Sequence, residues 1–103
     1  MSARARAALG ERDENHAEIQ RAYENLYCQV RDTHTLGAGF PDLLVSIPTA
    51  RGKILQLVEV KSRVGELSPS QKTFIRDFGS VTVIRDRDEV FAHVERVRAE
   101  FKR

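Results

Sequence analysis

The sequence predicts a single α/β domain whose elements run α-β-β-β-α-β-α. Three observations carry that expectation. Apolar residues recur at helical spacing near both ends of the chain, as Ile19-Ala22-Tyr23-Leu26 and as Val90-Phe91-Val94-Val97-Phe101. Between them lie apolar runs of strand length, split by Gly- and Pro-containing turns. In the second half, Ser68-Pro69-Ser70-Gln71 has the form of a helix start, and Gly79 follows as its stop.

The elements follow in order. Residues 1–12 place Arg4, Arg6 and Arg12 among alanines and are expected to form a flexible basic arm, with one domain over 13–103. Residues 13–28 read as the first helix, with Asp13 and Glu14 suited to its positive N-terminal end. Glu18 stands beside Ile19 at the edge of the buried face, where it can look into a site. Residues 29–35, with Val30, Thr33 and Thr35, read as a short strand. The Leu36-Gly37-Ala38-Gly39 break follows, and its glycines let backbone approach a ligand closely.

Pro41 fixes the entry to a strand over 42–47, 48–52 is a turn, and 53–62 is the next strand. That strand is apolar on both faces and is expected to be central and covered on both sides. The helix opened by Ser68 points Phe74, Ile75 and Phe78 inward. Residues 81–84 form the last strand, and Asp86 or Asp88 caps the last helix, which runs to about residue 101. Tyr23 and Tyr27 are expected to be packing residues. His16 and His93 have no metal-ligand spacing and are given no role.

At 103 residues, 41% hydrophobic and 31% charged, the composition suits one small globular domain and argues against disorder. The net charge of +2 supports nucleic-acid binding only weakly, so local basic patches matter more than the total. Cys28 stands alone, which excludes an intrachain disulfide and a cysteine-rich zinc site and points to a reducing compartment. No stretch approaches the roughly 18 apolar residues of a membrane span, and the N-terminus lacks an apolar signal core. The expected location is the cytoplasm of a bacterial or phage-infected cell.

Charge stands where buried strands should have none. Asp42 opens one apolar run, and Glu59 and Lys61 lie within the next. Burying such groups costs several kcal/mol unless they are paired or bound to a metal. Strand alternation puts Glu59 and Lys61 on one face. Two acids and a lysine at a sheet edge can hold Mg²⁺ and act on a phosphodiester. Around them, Arg51, Lys53 and Arg63 flank the central strand, and Lys72 and Arg76 share a helix face. These five, with His34, Gly37 and Gly39 of the glycine break, are candidate contacts to a DNA backbone.

Gly39-Phe40-Pro41-Asp42 followed by Glu59-Val60-Lys61 resembles the PD-(D/E)xK nuclease pattern. Within that superfamily the chain is similar to a stand-alone VRR-Nuc domain, the virus-type replication–repair nuclease. The likeness rests on the acidic first helix, the run from Gly37 to Val45, Leu57-Val58-Glu59-Val60-Lys61, and Leu67-Ser68-Pro69-Ser70-Gln71, and it covers residues 13–84. It implies a restriction-endonuclease-like core with a mixed four-stranded sheet flanked by helices. It also implies Asp42, Glu59, the Val60 carbonyl and Glu18 as ligands of Mg²⁺ or Mn²⁺, with Glu14 the alternative to Glu18. Lys61 would orient the attacking water or stabilise charge on phosphorus. Gln71 would reach the site from its helix, a role that stands beside its part in a capping box.

Stand-alone relatives resemble Holliday-junction resolvases. That makes Mg²⁺-dependent cleavage of branched duplex DNA by a homodimer the leading expectation, with no membrane partner. A less selective nickase or flap nuclease, and a catalytically silent branched-DNA-binding module, are the alternatives. The apolar stripe of the last helix is the candidate dimer face wherever the core leaves it free.

Overall fold

Leu43, Val45 and Ile47 alternate with Leu44, Ser46 and Pro48, and that alternation decides which side of the sheet is buried. In the computed structural model, which describes residues 15–102, the three odd-numbered side chains are fully buried. The described elements are α1 (His16–Asn25), β1 (Gln29–Asp32), a 3₁₀ turn (His34–Leu36), β2 (Leu43–Thr49), β3 (Gly52–Val60), α2 (Pro69–Phe78), β4 (Thr82–Ile84) and α3 (Arg87–Glu100). The strands lie in the order β1-β2-β3-β4, antiparallel except for the parallel β3–β4 pair. This is the mixed four-stranded sheet that the sequence predicts. The expected arm over 1–12, Asp13 and Glu14 lie outside the described residues.

The core fills one side. Ile19 and Tyr23 of α1 and Val90, Val94 and Val97 of α3 meet Val30, Leu43, Val45, Ile47, Val58 and Val60 of the sheet. The α3 stripe is therefore taken up by the core and not left free as a dimer face. Phe91 lies one position round from it and is 46% exposed.

Several boundaries differ from expectation for local reasons. β1 stops at Asp32 because Thr33, whose amide still makes the next in-register bond to the Asp42 carbonyl and whose hydroxyl bonds the Pro41 carbonyl, leaves the extended conformation at ψ of 13°. The Asp32 carboxylate then takes the His34 amide, and the chain turns instead of extending to residue 35. β2 runs on through Pro48, because the β1 ladder ends at Ser46 and β3 alone pairs with Pro48. A residue with no N–H is tolerated where a strand lacks one neighbour. Tyr27 follows α1 with φ of 69°, turns the chain into β1, and is exposed rather than packed.

β3 is interior in the sheet order, but only Val58, Glu59 and Val60 at its end are buried on both faces; Leu55 is 65% exposed. The second face is covered by α2 only near that end. α2 buries one residue, Phe74, while Phe78 stacks on Phe74 at 4.6 Å yet stays largely exposed.

His93, given no role by its spacing, is a buried hydrogen-bonding residue. Ring Nε2 lies 2.9 Å from the Gln56 side-chain oxygen Oε1, an acceptor, so Nε2 carries the proton. Nδ1 then accepts from the Tyr23 hydroxyl at 2.7 Å. Burial, with Arg96 nearby, lowers His93 from 6.5 to about 4. Between those values the unfolded chain binds a proton that the folded chain refuses. The stability from neutral His93 is therefore full above pH 6.5 and is lost as pH falls toward 4. Urea unfolding at pH 7 and pH 4.5 should show wild type losing about 2 kcal/mol more than His93→Gln over that interval.

Candidate active site

The β2–β3 register pairs Leu43 with Val58, so the residues just beyond, Asp42 and Glu59, face each other across the two strands. Both alternate with core residues, which puts their side chains on the sheet face that α2 covers, opposite α1 and α3. Asp42 Oδ2 accepts the Val60 N–H at 2.9 Å. That bond fixes the carboxylate at the end of β3 and brings Val60 into the site through its backbone. Glu59 is 3% exposed. Its Oε2 accepts from Gln71 Nε2 at 2.8 Å and lies 4.0 Å from Lys61 Nζ.

Burial is the main reason that the Glu59 carboxyl is raised to about 8, followed by the charge of Asp42 and a hydrogen bond with it; Lys61 pulls the other way. Two carboxylates held this close and dry do not both ionise without a compensating cation. The donor set therefore fits a small hard cation. Among the described residues no group of three or more His, Cys, Asp or Glu is placed to hold a metal. Two carboxylates plus a backbone carbonyl suit an ion that keeps several waters, as Mg²⁺ does.

Gln71 divides its amide between the two roles that the sequence left open. Its Oε1 accepts the Ser68 N–H at 2.8 Å and its N–H donates to the Ser68 hydroxyl, which completes the capping box; Nε2 reaches Glu59. The N-terminus of α2 is set in place by Gly39. A Cβ built there would overlap the Ser70 carbonyl and lie 2.9 Å from the Gln71 nitrogen. Phe40 adds an edge-to-face contact with Phe74 at 5.1 Å. Gly37 has open space around it and makes its turn at φ of 71°.

The structure does not bring every candidate to this pair. Glu18 points elsewhere: it is exposed and 3.9 Å from Arg87, beside Arg21 and Asn25. The reason is the rotation of α1, which turns Ile19, Ala22 and Tyr23 to the core. His34 bonds the Asp32 carboxylate and packs edge-on against His16 at 5.7 Å. Asp32 is paired with the core-facing Leu43, so this cluster belongs to the α1 face, not to that of the carboxylates. Arg51 and Lys53 sit at the far end of β3, about 20 Å from Glu59 at about 3.3 Å per residue. Arg63, Lys72 and Arg76 are exposed on the loop after Lys61 and on α2, with Arg76 paired to Asp77 at 2.9 Å.

One participant was not foreseen. Asn15, at the start of α1, makes no side-chain cap bond there. Its Nδ2 donates instead to the Lys61 carbonyl at 3.3 Å and to the Arg85 carbonyl at 3.2 Å. With the helix expected to begin at Asp13, Asn15 read as an interior residue, and nothing local marked it.

No described helix is long and apolar enough to cross a membrane. The family model described as the VRR-NUC domain matches residues 6–98. No curated protein and no solved structure matches the chain.

Proposed function

We infer that this chain, which belongs to the VRR-NUC domain family, is a Mg²⁺-dependent, structure-selective DNA endonuclease acting on branched duplexes, with four-way junctions as its preferred substrate. The family implies a nuclease-type function and with it a DNA partner. The observation that carries the metal-dependent part of this reading is the Asp42–Glu59 pair, in which the buried Glu59 carboxyl is raised to about 8 beside the half-buried Asp42.

Asp42, Glu59 and the Val60 carbonyl would hold Mg²⁺, with Mn²⁺ able to substitute. The ion supplies Lewis acidity toward the phosphate and lowers the pKa of a coordinated water. The remaining work falls to the chain. Lys61, its Nζ 4.0 Å from Glu59 Oε2, is the cation closest to that pair. It orients the attacking water or meets charge growing on the phosphate oxygens. Gln71 keeps Glu59 in one rotamer through Nε2. Arg63, on the loop after Lys61, and Lys72 and Arg76, on α2, are exposed and would track backbone phosphates.

The described residues carry one such site, so symmetric cleavage of a junction requires two copies, and the working form is a homodimer in the cytoplasm of a bacterial or phage-infected cell. The test is Mg²⁺-dependent cleavage of an end-labelled four-way junction beside a linear duplex, a flap and single-stranded DNA of matching sequence. Paired symmetric nicks confined to the junction are the expected result. Cutting spread over all substrates would withdraw the junction claim and favour a nickase or flap nuclease. Mg²⁺-independent binding with no cutting would favour a silent DNA-binding module.

A further inference from the structure

We propose that Asn15 and Arg85 are positioning residues for Lys61, acting together from two different elements to aim its ammonium at the Asp42–Glu59 pair. The proposal rests on the nuclease reading above for what Lys61 does, and on geometry for how Lys61 is held.

Lys61 lies one residue beyond the end of β3. Its N–H still bonds β4, donating to the Ile84 carbonyl at 3.0 Å. Its carbonyl has no strand partner and is taken by Asn15 Nδ2, which also binds the Arg85 carbonyl. One amide group thus ties the chain leaving β3 to the chain leaving β4. The Arg85 side chain then reaches back over the following loop. Its Nη1 donates to the Ser62 and Gly65 carbonyls, each at 2.6 Å, and the Gly65 N–H closes a turn onto the Ser62 carbonyl at 3.2 Å.

This clamp also lies beside the lysine side chain. A Cβ built on Gly65 would come within 3.5 Å of Lys61 Cδ, so the folded-back loop passes close to the aliphatic stem. The Lys61 side chain is 18% exposed, so most of it is covered. A long, flexible amine gains reach from its stem but loses aim. Here the stem is confined by a loop whose carbonyls are held by a guanidinium and whose root is held by an amide. Catalytic groups lose about 100-fold when displaced by roughly 1 Å, so a group that sets this stem matters to rate without touching substrate.

The experiment uses the full chain with Asn15→Ala, Asn15→Gln and Arg85→Lys. Steady-state cleavage with Mg²⁺, Mn²⁺ affinity by calorimetry, and amide hydrogen exchange are read for each. Asn15→Ala and Arg85→Lys should lower kcat about 10- to 100-fold, with KM for DNA and Mn²⁺ affinity within about twofold of wild type. Exchange should quicken at residues 61–66 and stay unchanged in the α1–α3 core. Asn15→Gln keeps the amide and should recover part of kcat. An unchanged kcat in both variants would overturn the proposal, as would a parallel fall in Mn²⁺ affinity, which would place the effect at the carboxylates. If wild type cuts no substrate, the nuclease reading fails. The exchange pattern then still decides whether these two residues hold Lys61 and its loop.

Discussion

Glu59→Gln is expected to abolish cleavage and, in the same molecule, to make the metal-free protein more stable. Glu59 is 3% exposed beside Asp42, and its carboxyl is raised from 4.5 to about 8. The folded chain therefore keeps a proton that the unfolded chain gives up near 4.5. The favourable linkage is complete below 4.5 and is lost as pH rises through 8, where the fold must bear a buried carboxylate next to that of the half-buried Asp42. Glutamine imitates the protonated acid. It can still accept from Gln71 and can donate to Asp42, and it carries no charge at any pH. In EDTA at pH 9 the variant should unfold about 1–3 kcal/mol later than wild type by urea titration, with a smaller gap at pH 6. Cleavage should fall by about 10³-fold or more, because an amide is a poor ligand for a hard divalent cation. A variant less stable than wild type at pH 9 would show that the pair is not strained in the way argued.

Gly39→Ala is expected to be the most damaging single methyl group in the chain. The added carbon would overlap the Ser70 carbonyl, and the clash is with helix backbone, not with the end of a side chain that can swing away. The position also has φ of 78°, which disfavours any side chain. Strain and overpacking together should cost about 3–4 kcal/mol. The helix relieves the clash by moving outward, which breaks the Gln71–Glu59 bond and removes activity along with stability. Gly37→Ala is the control. It shares the positive φ, with ψ of -167°, but has open space around it, and should cost about 1–3 kcal/mol of backbone strain with cleavage retained. Urea unfolding and junction cleavage on both variants check this. Equal losses would mean that backbone strain, not contact with α2, governs the loop.

How much of this was legible before the fold depends on how local each cause is. The α2 cap could be read because Ser68, Pro69 and Gln71 settle a helix start among themselves. The meeting of Asp42, Glu59 and Lys61 could be read because period-two alternation and a short hairpin leave little freedom in register. The end of β1 could not, since the β-branched Val30, Thr33 and Thr35 all favour a strand, and only the turn that the Asp32 carboxylate makes with the His34 amide stops it. Nor could the exposure of Phe78 and Phe91, because whether an apolar residue faces inward depends on how far its neighbours extend. Glu18 and Asn15 show the limit most clearly. On neighbouring positions of one helix face, they lie a turn apart along α1, and only the way Ile19 and Tyr23 seat that helix on the sheet decides which of them reaches the end of β3.

The sparse anchoring of α2 has a dynamic consequence. The two-layer body of sheet, α1 and α3 holds nearly all the buried side chains, whereas α2 contributes Phe74 alone. Its ties to that body are the Gly39 contact, the Phe40–Phe74 ring pair and the Gln71–Glu59 bond. An element held by so few contacts opens with less free energy than global unfolding requires. Each opening would lift Gln71 off Glu59 while the sheet keeps Asp42, Glu59 and Lys61 in register. The sheet, α1 and α3 thus make a firm base, and α2 is a lightly tied cover beside the carboxylate pair.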